Sequence, residues 1–418
     1  MRGFALATSL VWMAAIGLCL GGCSQPPRTN ALHPAPDAGD APVTLDWKVI
    51  KAPGRELPTL TAVWARGDDV YASSAAPNWP ATVVSSHDHG RSWTAVTLGH
   101  TDIVLRGVAA DASNRAFAVG FQLGDGFVPF VAASGDGGMT FAALSTSFSG
   151  HPHAVWVDPT LGVLIVGADA GGGFFARSTD AGATWTEAPV PGAVDLNALW
   201  VSSEGEIFVA GAERLVSEGG AVAGGSSDGG PDGSAAAEAL HGLQGLIVRS
   251  DDGGATWSAV LSGTPPLGPG WTGPGPGTTP AVLFAISGTA DGTRIVATGD
   301  LLTVAESTDH GATWSVDAGY PTSLTTPERF AGDQITGVWV ADGTSAPYMA
   351  AGLYSGQSGG LLRGIGYPTG LVDGAAGGFD VFFASIDGDP AVYGVTGTGP
   401  GDGWAVGGNG LIAHGVPR

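Results

Sequence analysis

Two histidines one residue apart, His151 and His153 in the run GHPHAV, are the first side chains whose type and spacing suggest chemistry. Residues i and i+2 of an extended strand face one side, so both imidazoles can reach a single metal ion. No third ligand stands beside them, and two exposed loop histidines is the simpler reading. A second constellation is a carboxylate clamp, with Arg55, Arg106 and Arg329 on or near predicted loops and Tyr320, Tyr367 and Tyr393 as partners. Arginines grip carboxylates through paired charge-assisted hydrogen bonds, and tyrosine is a nucleophile in some glycosidases. A third run, Asp228-Gly229-Gly230-Pro231-Asp232-Gly233, opens like a calcium loop. Its third position is Gly230, Pro231 intrudes and Glu238 falls one residue short, so it is a poor cation cage. No P-loop, serine-hydrolase elbow or dinucleotide fingerprint occurs in a strand-turn-helix context.

The elements that must position these residues are repeated. One octapeptide occurs five times: SHDHGRSW from Ser86, SGDGGMTF from Ser134, STDAGATW from Ser178, SDDGGATW from Ser250 and STDHGATW from Ser307. Its Ser and Asp can accept turn amides, Gly supplies a positive φ, and the Thr-aromatic pair re-enters a strand. Asp88, Asp136, Asp180, Asp252 and Asp309 therefore have structural work in a hairpin and are not five catalytic acids. A second phrase, a short apolar strand, a turn and another strand usually ending in Gly, starts at Ala62, Gly107, Ala154, Ala198, Ala285, Gly337 and Gly394. Its alternation of Val, Ile, Ala and Trp reads as antiparallel strands, and no stretch carries a sustained helical period. Trp64, Trp156, Trp200 and Trp339 keep one register in this phrase, which favours packing between repeats over a carbohydrate platform.

The octapeptide resembles the Asp-box of the sialidase (BNR) repeat superfamily, where it lies on the turn joining the last two strands of a propeller blade. That resemblance, with seven repeats, implies an all-β chain folded as a seven-bladed β-propeller. The seventh unit writes only three strands, and Leu45-Asp46-Trp47-Lys48-Val49 imitates the missing one, so an N-terminal strand is expected to complete the last blade. The superfamily includes sialidases, other glycoside hydrolases and non-catalytic photosystem II assembly factors; GWAVGGNGLIAHG from Gly403 looks closest to the last group. The Arg-Ile-Pro signature of sialidases is absent, their propellers have six blades, and Arg91, Arg177 and Arg249 lie in or beside octapeptide hairpins.

Met1-Arg2 followed by an apolar run from Phe4 to Leu20 reads as a signal peptide, and Leu20-Gly21-Gly22-Cys23 resembles a bacterial lipobox. Residues 1–22 are thus expected to be a lipoprotein signal, Cys23 the lipidated residue and 23–43 a Pro/Ala-rich tether. Residues 44–418 form the propeller, with a low-complexity insertion at about 217–238 in blade 4 and a Pro/Gly loop at 263–280. The only cysteines are Cys19 and Cys23, which leaves no disulfide in the processed protein. With 38 acidic against 16 basic side chains, a formal charge of −22 disfavours nucleic acid and anionic headgroups. Membrane attachment is expected through the lipid alone.

These readings give an envelope-anchored module that binds or assembles with an envelope protein or glycan, non-catalytic and without cofactor or metal. The binding face is assigned to the loops leading into the innermost strands, with Asp102, Arg106, His151, His153, Asp195, Arg329, Asp333 and Asp389. The alternatives are a sialidase-like glycoside hydrolase, marked by convergent Arg and Tyr/Glu side chains, and a structural envelope protein without a specific ligand.

Overall fold

The computed structural model describes residues 45–50, 57–74, 79–99, 101–123, 128–214, 243–262, 282–300, 303–317, 334–342, 348–352, 360–365, 378–381 and 392–417. Cys23, the signal, the tether, both insertions, Arg55, Tyr320, Arg329, Asp333, Tyr367 and Asp389 lie outside the described residues.

Among the described residues the chain is all-β apart from one short turn of 3-10 helix, and its strands meander from the inside outward. Strand β1 (Leu45–Ile50) precedes the first sheet, which contains β2 (Leu60–Arg66), β3 (Asp69–Ser74), β4 (Thr82–Ser86) and β5 (Thr94–Thr97). Next come β6 (Ile103–Ala110), β7 (Ala116–Gln122), β8 (Val128–Ser134) and β9 (Ala142–Ala143), then β10 (His151–Asp158), β11 (Gly162–Asp169), β12 (Gly172–Ser178) and β13 (Thr186–Pro189). A further sheet holds β14 (Ala193–Val201), β15 (Ile207–Arg214), β16 (Leu243–Ser250) and β17 (Ser258–Ser262), and another β18 (Leu283–Gly288), β19 (Ile295–Gly299), β20 (Val304–Ser307) and β21 (Ser315–Asp317). The last two contain β22 (Gln334–Trp339), β23 (Tyr348–Gly352), β24 (Gly360–Ile365) and β25 (Gly378–Val381), and β26 (Val392–Gly399), β27 (Asp402–Gly407) and β28 (Ile412–Pro417). Strand β1 pairs antiparallel with β28, Trp47 opposite Gly415, and supplies the fourth strand there.

The first strands of successive sheets touch in the cyclic order β2, β6, β10, β14, β18, β22, β26 and back to β2, a β-propeller ring. One part of the seven-blade expectation requires correction. Six of these sheets are described with side chains across all four strands, and six apolar clusters join neighbours. In the sheet beginning at β22, strands beyond the first are described as paired backbone alone, so six blades, and not the expected seven, are described with side chains across their four strands.

Burial is greatest in the second strands and least in the outermost, which explains the composition of each strand. β7 and β15 bury both faces against neighbouring sheets and are almost wholly apolar, whereas β5, β13 and β17 are largely exposed and carry Thr, Glu and Ser. The recurrent tryptophans pack as their register required. Trp64 and Trp156 each lie against two adjacent clusters; Trp200 and Trp339 are buried, with glycines of the next innermost strand, Gly288 and Gly397, against their rings.

Candidate functional site

All five octapeptides form the hairpin between the third and fourth strands of a sheet, and each uses its carboxylate completely. In the hairpin at Ser178 the Ser178 hydroxyl donates to Asp180 Oδ1 (2.8 Å) and accepts from the Gly182 amide (2.7 Å); the Thr184 amide and hydroxyl donate to Asp180 Oδ1 and Oδ2 at 2.8 and 2.6 Å. The same bonds recur around Asp88, Asp136, Asp252 and Asp309. Donation by the Ser/Thr side chain, then by its amide, pulls Asp88, Asp136, Asp180 and Asp252 down to about 2 and lowers Asp309. The box glycine is also a dock: a Cβ on Gly90, Gly138, Gly254 or Gly311 would meet Trp404, Tyr71, Phe175 or Phe208 of the preceding sheet at 2.2–2.9 Å. Cross-links continue along this rim, with His87 Nε2 2.6 Å from the Gly137 carbonyl, Arg177 donating to the Gly253 carbonyl and Arg249 to the His310 carbonyl. An open depression of about 310 Å³ here is lined by Arg249, Asp251, Asp252, Thr256, Ser258 and Val260. Its charges are already spent, Arg249 on Glu206 and Asp251 and Asp252 on Thr256, which leaves little for a ligand.

The opposite ends of the innermost strands differ. Each of the seven carries a β-bulge with one unpaired residue: Thr61, Arg106, His153, Asn197, Phe284, Thr336 and Tyr393, all half-buried. A bulge breaks the ladder and re-aims its extra side chain. Several of these side chains tie to the next strand round the ring. His153 Nδ1 lies 3.2 Å from the Leu196 carbonyl, Asn197 Nδ2 donates to the Leu283 carbonyl (3.0 Å) and the Thr336 hydroxyl to the Tyr393 carbonyl (2.9 Å). Because a carbonyl only accepts, the contact selects the Nδ1-protonated form of His153. The bulge also accounts for the glycine near the end of four second strands. Gly120, Gly167, Gly211 and Gly299 pair with the residue just before the bulge, and a Cβ there would lie 2.0–2.1 Å from the carbonyl oxygen of Val104, His151, Asp195 or Val282.

Four of the eight binding-face residues expected from sequence meet on this girdle: Arg106, His151, His153 and Asp195. His151 and His153 are not exposed loop residues; they begin β10, His151 is buried, and the bulge stacks their rings 6.2 Å apart at 22°. Asp195 Oδ1 sits 3.1 Å from His153 Nδ1 as an ion pair, but off the N–H line, so this buried oxygen accepts no hydrogen bond. Burial pushes the Asp195 carboxyl upward; the charges of His153 and Arg106 and contact with His153 outweigh it and hold the group below its ordinary value. Arg106 retains some exposed surface at its bulge, yet desolvation brings it down to about 10 against the opposing pull of Asp195. His151 falls to about 4, first through burial and then through His153. Asp102 stands apart beside the start of β6, accepting from Gln122 Nε2 at 2.6 Å. Tyr393, read as a clamp partner, is a bulge residue whose hydroxyl is raised by burial.

Thr61, Asn197, Phe284 and Thr336 were missed as members of this girdle. The signal was present: each bulge residue immediately precedes a repeat phrase whose first residue is Ala or Gly. That small residue is needed where innermost strands converge, since a Cβ on Gly107 lies 3.1 Å from the Val155 amide nitrogen and one on Gly394 3.0 Å from the Thr61 carbonyl.

No family model and no curated protein matches the chain. Solved structures do. YCF48 bound to D1 peptide is 17% identical with a TM-score of 0.54, over 92% of this chain and 100% of that one. YCF48 from Cyanidioschyzon merolae is 12% identical at a TM-score of 0.53, covering 88% and 98%. A catalytically inactive virginiamycin B lyase from Staphylococcus aureus, with quinupristin, is 10% identical at a TM-score of 0.56, covering 90% and 100%. At these identities the likeness establishes the propeller fold.

Proposed function

We propose that the chain is a non-catalytic binding module of the bacterial cell envelope, acylated at Cys23 and using the axial girdle to take a polar, extended segment of an envelope protein. The observation that carries the reading is the Arg106, His151, His153 and Asp195 cluster, where opposite charges gather half-buried at the axis and a buried Asp195 oxygen accepts no hydrogen bond. Such a site can offer both a cation and an anion to a peptide backbone and its side chains. Support comes from the fold shared with YCF48, one structure of which holds a D1 peptide. The octapeptide and lipobox resemblances support the finer reading, a BNR/Asp-box propeller held at a membrane by its lipid. Among the described residues Arg106 is the girdle's only arginine, which is poor equipment for a three-arginine sialoside clamp.

The test is crosslinking of the full chain in envelope preparations, beside a variant carrying Arg106→Ala and Asp195→Asn. Capture of a protein by the parent and its loss in the folded variant is expected. Turnover of fluorogenic sialosides, or capture untouched by the variant, would overturn the reading. The anchor is tested by Cys23→Ser, which should move the protein out of the membrane fraction.

A further inference from the structure

Where the last sheet meets the first, three side chains distant in sequence converge on one point. His89, in the first octapeptide hairpin, places Nε2 3.1 Å from Asp402 Oδ1; His414, on β28, places its own Nε2 2.6 Å from the same oxygen. The three ligand atoms all lie within 4.8 Å of one another. We infer that His89, Asp402 and His414 form a binding site for a divalent transition cation such as Zn²⁺ or Co²⁺, clamping the seam of the ring.

Tetrahedral zinc, with bonds of about 2.0–2.1 Å to nitrogen and oxygen, holds its ligand atoms about 3.3 Å apart, so a shift of about 1 Å admits the ion. Two neutral imidazoles and a carboxylate are a donor set that zinc and cobalt favour, leaving one position for water. Behind His89, Nδ1 faces the exposed Asp68 carboxylate at 3.6 Å, a charge nearby but beyond hydrogen-bond reach. Thr398 donates to Asp402 Oδ2 and leaves Oδ1 turned toward the histidines. His414 stacks on fully buried Trp404 with centroids 4.1 Å apart at 9°, and its ring lies 4.8 Å from that of His89. His89 remains about one third exposed while Asp402 and His414 are mostly covered, so the site is open to solvent on the His89 side.

The protein supplies its own control. His310 occupies the same octapeptide position with nearly the same backbone, φ +57 against +59, yet among the described residues only the seam assembles three ligands. A turn histidine is therefore insufficient; the site depends on the last sheet bringing Asp402 and His414.

Metal-stripped full chain should bind one equivalent of Co²⁺ or Zn²⁺ in calorimetric titration, and Zn²⁺ should raise its melting temperature. His89→Ala and Asp402→Asn should each abolish both effects, and His310→Ala should leave binding unchanged. Circular dichroism establishes that each variant is folded; if one ligand variant fails, the other carries the test. Absence of saturable binding by the parent, or binding that survives either folded ligand variant, would overturn the assignment.

Discussion

The hairpin rim and the axial girdle are built by the same repeat, and they handle polar groups in opposite ways. On the rim a single carboxylate receives the bonds of its own turn, as Asp180 does from Ser178 and Thr184, so the motif is complete within eight residues. On the girdle the bulge side chains of His153, Asn197 and Thr336 reach across to the next sheet, and the bulge residue changes from step to step, from Arg106 to His153 to Asn197. A motif satisfied locally can be copied; a position satisfied by a neighbour is free to diversify toward a ligand.

The largest separation between the two regions should appear in backbone packing. Gly211→Ala places a methyl 2.0 Å from the Asp195 carbonyl oxygen and 2.8 Å from Leu196 Cα, contacts with backbone that cannot yield cheaply. A loss of about 3 kcal/mol or more is expected in denaturant melts. Gly205→Ala on the rim, at φ +84 with open space around it, should cost about 1 kcal/mol from its left-handed backbone alone.

Acid should attack the two regions in different windows. His151 titrates near 4 in the folded protein against 6.5 in a free chain, so its contribution is whole above 6.5 and declines as pH falls to about 4. The octapeptide carboxylates titrate near 2 against 3.8, and their stabilisation persists above 3.8 and disappears toward pH 2. Melting temperatures of His151→Gln across this range should lose the upper slope and keep the lower; an unchanged upper slope would remove His151 from the account.

A smaller effect is expected from Asn197→Ala, which removes the bond to the Leu283 carbonyl and should cost about 1 kcal/mol by denaturant titration. Smallest is Arg249→Ala on the rim. Its partners Glu206 and Asp251 are partly solvated, and the loss should be about 0.5–1 kcal/mol, shrinking in high salt. A cost above that of the girdle glycine would invert the comparison.

What could be read from the sequence follows the same division. The octapeptides, the strand pairs, the tryptophan register and the closing strand Leu45–Ile50 are local patterns, and each lies in the element assigned to it. His151 and His153 were found, but their setting was misjudged, because a bulge between Pro152 and Ala154 and a partner at Asp195 depend on strand pairing and the next sheet. The His89, Asp402 and His414 group was invisible for a stronger reason. No spacing rule connects positions 89 and 402; only closure of the ring does.

That closure also sets a timetable. Leu45 to Ile50 lie near the N-terminal end and reach their partners only at Ile412 to Pro417, a pairing across almost the whole chain. During synthesis the strand must wait, unpaired, until some three hundred and sixty further residues have followed it. Intermediate sheets can stack as they emerge, but the ring's final interface is the most non-local contact available, and such contacts are slow to form. Once made, it turns a row of weakly coupled units into a hoop, in which no sheet can peel away from an end without first breaking the seam.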